Sequence, residues 1–358
     1  MHSVADYERD RELVRQRTRA RLAGRAGQPD EEQALQRHYQ CIRTNLLHLL
    51  EADDNTENAA LAQSVLLETA VTTDLDLSVR YIAPLLADAT VVDAAGVLQA
   101  GRAQLHVLYH TGPYWLPIFA ALRAGVACAC CVPTSMPRVR ENFLQLHACL
   151  TRELTLPGKL RIIDMDTQSF AVSARQAIER GYSLFLFMDG FTGTAHEANP
   201  RRDVEVPFLN AEITCKTTVA TLALLLDAPL VATHAHRTGP LQARLTFEPL
   251  AVATDTASRR EQAAQLSVAI YTRLAGLLRE APAQWEPWQY FHAYLSDRYL
   301  AQLKSGEIGK RFRHDTESER FYFSPAGDVM VDRYTLRSYG VRRKSDSPAG
   351  GDAAALHS

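Results

Sequence analysis

Between Gln104 and Leu250, short apolar runs alternate with stretches of helical period, and this alternation constrains the fold more than any other feature of the chain. QLHVLYH, VACACCVP, KLRIIDMD, YSLFLFMDG, PLVATHAHR and ARLTFEPL read as strands, with WLPIFAALRAG, SFAVSARQAIERG and KTTVATLALLLDA as the helices among them. Most of these strands are apolar at consecutive positions, so they bury both faces rather than one. That pattern predicts an α/β domain, a mixed and mostly parallel central sheet covered by helices on two sides.

The flanks read differently. Residues 1–30 carry dense mixed charge with sparse apolar points at Leu13, Val14 and Leu22, which predicts a solvated helix or a flexible arm. From Glu31 to Leu50 the apolar positions Leu35, Tyr39, Ile42, Leu46, Leu47 and Leu50 recur helically and open the α/β domain, expected over 31–300. In 301–345 two alternating runs around Pro325, Gly327 and Asp328 predict a β-hairpin, and 346–358, rich in Ser, Ala, Gly and Pro, predict a disordered tail.

A formal net charge of -2 argues against general nucleic-acid binding. Six cysteines without secretory features, and no run near the roughly 20 apolar residues of a spanning helix, predict a cytoplasmic protein whose membrane contact is peripheral at most. There is no phosphate loop with its lysine, dinucleotide fingerprint, H-E-x-x-H or G-x-S-x-G. Cys128 and Cys131 form a C-x-x-C inside an apolar strand, where buried small hydrophobes are the better reading. His234 and His236 share one strand face, yet no third ligand can be named, so no metal site is expected.

Two regions resist explanation as packing. YHTGPYW places His110 at a strand end, where chemistry gathers in α/β sheets, but no acid follows within seven residues to orient its ring. FMDGFTGTAHEANPRRDVEVPFLN, from Phe187 to Asn210, runs from an apolar strand through Asp189 and Gly190 into a loop of glycine, histidine, adjacent arginines and acids. A surface loop with salt-bridged arginines is the plain alternative.

These residues resemble the lysophospholipid acyltransferase-like superfamily, and within it the late acyltransferases of lipid A biosynthesis. HTGPYW is similar to that family's H-F-G-N-W-E; ARQAIERGYSLFLFMDGFTG is similar to its helix, strand and Asp-containing turn. VEVPFLNAEITCKTTVATLALLLDAPLVATHAHR resembles its V-F-V-P-F-F-G segment, threonine-rich helix start and strand ending in arginine, and PAQWEPWQYFHAYL resembles its closing proline and aromatic segment. The likeness spans about Ala103 to Leu295. Three departures stand out: no N-terminal hydrophobic anchor is visible, the acid five residues after the histidine is Trp115, and F-F-G has become Phe208-Leu209-Asn210.

The resemblance implies a glycerolipid acyltransferase-like fold and an acyl transfer in which His110 acts as general base on the acceptor. The donor is then a thioester, the phosphopantetheine arm of acyl carrier protein or CoA, with no tightly bound cofactor. Asp189 is the favoured stand-in for the missing acid, with a backbone carbonyl or a water as alternatives. Thr111, Gly112 and Gly190 are expected to shape the oxyanion site through backbone amides, Tyr114 and Trp115 to wall the acyl channel, and Arg201 and Arg202 to hold phosphate. Without an anchor, a small-molecule or carrier-tethered acceptor in peptide- or polyketide-type metabolism fits best, an amine more readily than a hydroxyl. The rivals are an inactive relative that binds acyl chains or carrier protein, and a peripheral lysophospholipid or lipid A acyltransferase.

Overall fold

The computed structural model describes residues 3–52, 55–190, 203–250, 258–305, 321–323, 329–332, 336 and 338–340. Seven strands form the central sheet: β1 (Thr90–Val92), β2 (Leu105–Leu108), β3 (Cys128–Val132), β4 (Leu160–Asp164), β5 (Ser183–Phe187), β8 (Leu230–Gly239) and β9 (Gln242–Leu250), with β6 (Asp203–Phe208) and β7 (Ala211–Lys216) making a separate hairpin. Their order is β1-β9-β8-β2-β5-β3-β4, and from β8 through β4 every neighbouring pair is parallel. Only the β8–β9 pair is antiparallel, and β1 runs parallel to β9. The expected mixed, mostly parallel sheet is therefore what forms.

Consecutive apolar residues along the strands feed two cores. Leu105, Val107 and Tyr109 point to the face covered by α2 (Pro29–Leu50), α3 (Asn55–Val71), α7 (Phe170–Glu179), α8 (Thr218–Leu226) and α9 (Arg259–Glu280), while Leu108 points to the other. That second face packs under α4 (Ile82–Ala87), α5 (Leu116–Arg123) and α6 (Pro137–Glu153). The same alternation sends Cys131 into the first core and Cys128 into the second, so the C-x-x-C is no dithiol pair. All six cysteines are free and buried, and burial pushes the Cys130 thiol up to about 12.

The charged N-terminal segment is a helix but not a loose arm. In α1 (Val4–Leu22) Tyr7 and Val14 are buried, and the Tyr7 hydroxyl donates to Asp76 Oδ1 at 2.6 Å. Arg11 and Arg15 reach Glu68 on α3, and Glu68 and Asp76 also bind Arg237 of β8. One side of α1 docks through Arg11 and Arg15 onto this ionic cluster, while Arg9, Arg17, Arg19 and Arg21 stay exposed on the solvated face that the charge pattern predicts. At the other end β10 (Phe321–Phe323), β11 (Val329–Asp332) and β12 (Ser338–Gly340) form a three-stranded antiparallel sheet, one strand more than the expected hairpin. The proposed tail at 346–358 lies outside the described residues. No described helix is long and apolar enough to cross a membrane.

Candidate active site

Strand register builds the site. β2 and β5 are parallel neighbours with Leu108 opposite Phe187, so two residues further along each chain His110 and Asp189 emerge side by side at the carboxyl edge of the sheet. The His110 Nδ1 lies 2.7 Å from Asp189 Oδ1, and the His110 backbone N–H donates to Oδ2 at 2.9 Å. A third donor reaches the same carboxylate: the Trp285 indole N–H, 2.7 Å from Oδ2. Asp189 is fully buried, whereas the imidazole keeps 20% of its side-chain surface exposed.

With a carboxylate on Nδ1, the neutral ring carries its proton there and leaves the Nε2 lone pair free. Among the described residues nothing hydrogen-bonds Nε2. Burial pulls the His110 pKa down, but the charge and hydrogen bond of Asp189 overcome it, so the net shift is upward. The ring is held in place by Phe187, stacked at 4.3 Å, and by Tyr114, edge-on at 4.8 Å.

A segment far along the chain clamps this loop. Thr111 pairs with Trp285 in an antiparallel bridge, Glu286 N–H donates to the His110 carbonyl at 3.2 Å, and Gly112 N–H donates to the Gln284 carbonyl at 2.8 Å. Gly112 has φ 51°, and a Cβ there would meet Gln284 Oε1 at 2.9 Å and the Ala235 carbonyl at 3.1 Å, so glycine is required twice over. The hydroxyls of Tyr290 and Tyr294 donate to the carbonyls of Asp189 and Gly190 at 3.0 Å each, pinning the backbone that leaves β5.

Several expectations need correction. The Gly112 amide is committed to Gln284 and the Thr111 amide to the Tyr109 carbonyl at 2.8 Å, so neither backbone N–H is free to receive an oxyanion. The Thr111 hydroxyl, by contrast, is buried without a partner among the described residues. Gly190 sits against the imidazole, its ideal Cβ position 3.6 Å from His110 Cε1. Trp115 is 7% exposed and edge-on to Phe143 at 5.4 Å inside the core, so the acid beside His110 comes from Asp189 and not from this position. Arg201 and Arg202 lie outside the described residues.

Other polar groups serve the scaffold. His106 stacks on Phe185 at 4.3 Å and meets Thr233 Oγ1 at 3.0 Å; burial pushes its pKa down to about 3. His234, equally depressed to about 3 by burial, has no metal companions: no group of three or more His, Cys, Asp or Glu among the described residues is arranged to hold an ion. In the β6–β7 turn, where the resembled family has F-F-G, Leu209 takes φ 55°, a conformation glycine adopts without strain.

The residues that sequence reasoning missed are Gln284, Trp285, Glu286, Tyr290 and Tyr294. Their stretch stood out only as an aromatic cluster near the end of the resembling region, with nothing local to say that it folds back over His110.

No family model and no curated protein matches this chain. Among solved structures it is similar to the 1-acyl-sn-glycerophosphate (LPA) acyltransferase PlsC from Thermotoga maritima, at 12% identity and a TM-score of 0.32, over 69% of this chain and 97% of that one. So loose a superposition carries no weight in assigning chemistry; the site itself must.

Proposed function

We propose that this chain is an acyltransferase that moves an acyl group from a phosphopantetheine thioester, on acyl carrier protein or CoA, to an amine or hydroxyl acceptor, with His110 as general base. One observation carries the reading: a part-exposed imidazole with Nε2 unengaged and Nδ1 held at 2.7 Å by a buried carboxylate, at the carboxyl edge of the sheet. Such a pair removes a proton from whatever nucleophile is presented to Nε2. As in the family the sequence resembles, the acceptor attacks the thioester directly rather than through an acyl-enzyme.

Asp189 answers the strongest objection to catalysis, the missing acid at Trp115. In serine-protease triads, loss of the orienting acid costs about 10⁴-fold in turnover; here a neighbouring strand supplies an acid by register. The order of the sequence motifs then favours acyl transfer among the reactions open to such a base. The Gly190 amide and the Thr111 hydroxyl are the oxyanion donors we favour. A role in peptide- or polyketide-type biosynthesis is part of the same proposal.

The test is incubation with octanoyl-acyl carrier protein or octanoyl-CoA and a panel of amines and alcohols, followed by mass spectrometry. Acylated product that disappears in His110→Ala supports the reading. Equal product from that variant overturns it and leaves a chain that only binds acyl groups or their carriers.

A further inference from the structure

We propose that the acceptor taken by this site is a primary amine, received as its ammonium ion by the carboxyl group of Glu286. This rests on the acyl-transfer reading and narrows it to N-acylation.

Glu286 is fixed by its backbone to the His110 carbonyl, and its carboxyl interacts with Tyr114, whose ring lies edge-on against the imidazole. Carboxyl and imidazole thus share one wall. Its Oε2 is buried and has no hydrogen-bond partner among the described residues. Buried acceptors in folded proteins are nearly always satisfied, so an unfilled one beside a general base marks the place of a ligand donor. The contrast with Asp189 is informative: that carboxylate already accepts three hydrogen bonds and is fully used in orienting the ring.

The charge balance favours a cation over a neutral alcohol. Among the described residues the charged groups acting on Glu286 are His110 and Asp189, with no lysine or arginine beside them. Burial raises its pKa, which suits a group that must accept a proton from an ammonium ion. The Thr111 hydroxyl, a second buried and unpartnered group, belongs to the segment bridged to Trp285 next to Glu286.

The overall step is R–CO–S–R′ plus R″–NH₃⁺ giving R–CO–NH–R″, R′–SH and one H⁺. Glu286 takes the first proton from the ammonium and passes it to water. The freed nitrogen lone pair forms the C–N bond, and His110 Nε2 takes the second proton. As the C–S bond breaks, the thiolate leaves with the electron pair and recovers that proton from the imidazolium, restoring the neutral ring.

The experiment uses the full chain with octanoyl-CoA as donor and benzylamine or benzyl alcohol as matched acceptors, comparing the parent with Glu286→Gln. The glutamine keeps a similar shape but removes the charge. The parent should form amide in preference to ester, and E286Q should lose about 10- to 100-fold in kcat/KM for benzylamine, mainly through KM. The ratio of kcat/KM for benzylamine to that for benzyl alcohol should fall in E286Q, a split that a merely structural role would not produce. Unchanged amide formation in E286Q, parallel loss of every acceptor, or ester formed in preference to amide by the parent overturns the inference alone. Absence of His110-dependent transfer to amine, alcohol or water in the parent overturns the reading beneath it as well.

Discussion

Replacing Asp189 with asparagine probes the dyad most sharply, because the geometry dictates what the new side chain does. The carboxylate accepts from three donors, the His110 ring and backbone nitrogens and the Trp285 indole, at 2.7, 2.9 and 2.7 Å. If the amide oxygen stays towards Nδ1, its NH₂ faces two N–H donors and loses both bonds. If it turns, the oxygen keeps those two and the NH₂ donates to Nδ1. The second arrangement retains more hydrogen bonds, and it moves the ring proton to Nε2, abolishing the base. A wrong tautomer costs about 10⁴-fold in triad enzymes, equivalent to about 5.5 kcal/mol at 1.36 kcal/mol per tenfold. Loss of the Asp189 charge should also lower the His110 pKa, reversing the upward push it supplies. Nitrogen-15 NMR of the ring reads tautomer and titration, and thiol release from octanoyl-CoA reads turnover. An Asp189→Asn variant within about tenfold of the parent, with its proton still on Nδ1, would refute the reasoning.

Trp285→Phe keeps an aromatic ring against Trp288 and Phe291 but removes the indole donor to Oδ2; turnover should fall about 10- to 100-fold, the range for a hydrogen bond to a charged group, and an unchanged kcat would detach the clamp from catalysis. Gly112→Ala adds strain at φ 51° to a close approach to Gln284 and Ala235, whereas Gly181→Ala, at φ 80° with open space around it, adds strain alone. Denaturant unfolding should show Gly181→Ala costing about 1 kcal/mol and Gly112→Ala costing more, by about 1–3 kcal/mol for the forced shift; equal losses would contradict the tight fit. His106, His234 and His292 are kept neutral by burial, with pKa values of about 3, about 3 and about 4 against 6.5 unfolded. Their folded values are depressed, so the unfolded chain binds more protons and stability drops as pH falls from 6.5 towards 3, by about 1.4 kcal/mol per pH unit for each ring. Flat stability between pH 7 and 5 would contradict their burial.

The strands of the central sheet and the helices α5, α7 and α8 between Gln104 and Leu250 were legible because they bury enough apolar residues to show their period. Helix α9 escaped because its buried stripe, Ala263, Leu266, Ser267, Ile270, Tyr271, Leu274, Ala275 and Leu278, is diluted by small residues that pack without looking hydrophobic. Helix α6 went unread as well, because its buried face of Phe143, Leu146, Cys149 and Leu150 is set among charged neighbours. His110 and Asp189 each stood out at a strand end, and their meeting depended on a parallel register that no local pattern specifies. Trp285 and Glu286 were beyond reach, since short 3₁₀ turns place them and every contact they make with the site bridges more than ninety residues. Trp115 could not be weighed from its motif alone, because only the fold shows that it is buried edge-on against Phe143.

Steady-state release of free thiol from octanoyl-acyl carrier protein in the presence of an acceptor, compared between the parent and His110→Ala at matched folded concentration, tests the central claim most directly. The account predicts acceptor-dependent release by the parent, reduced to background by the substitution. Release of equal size from both proteins would mean that His110 activates no acceptor.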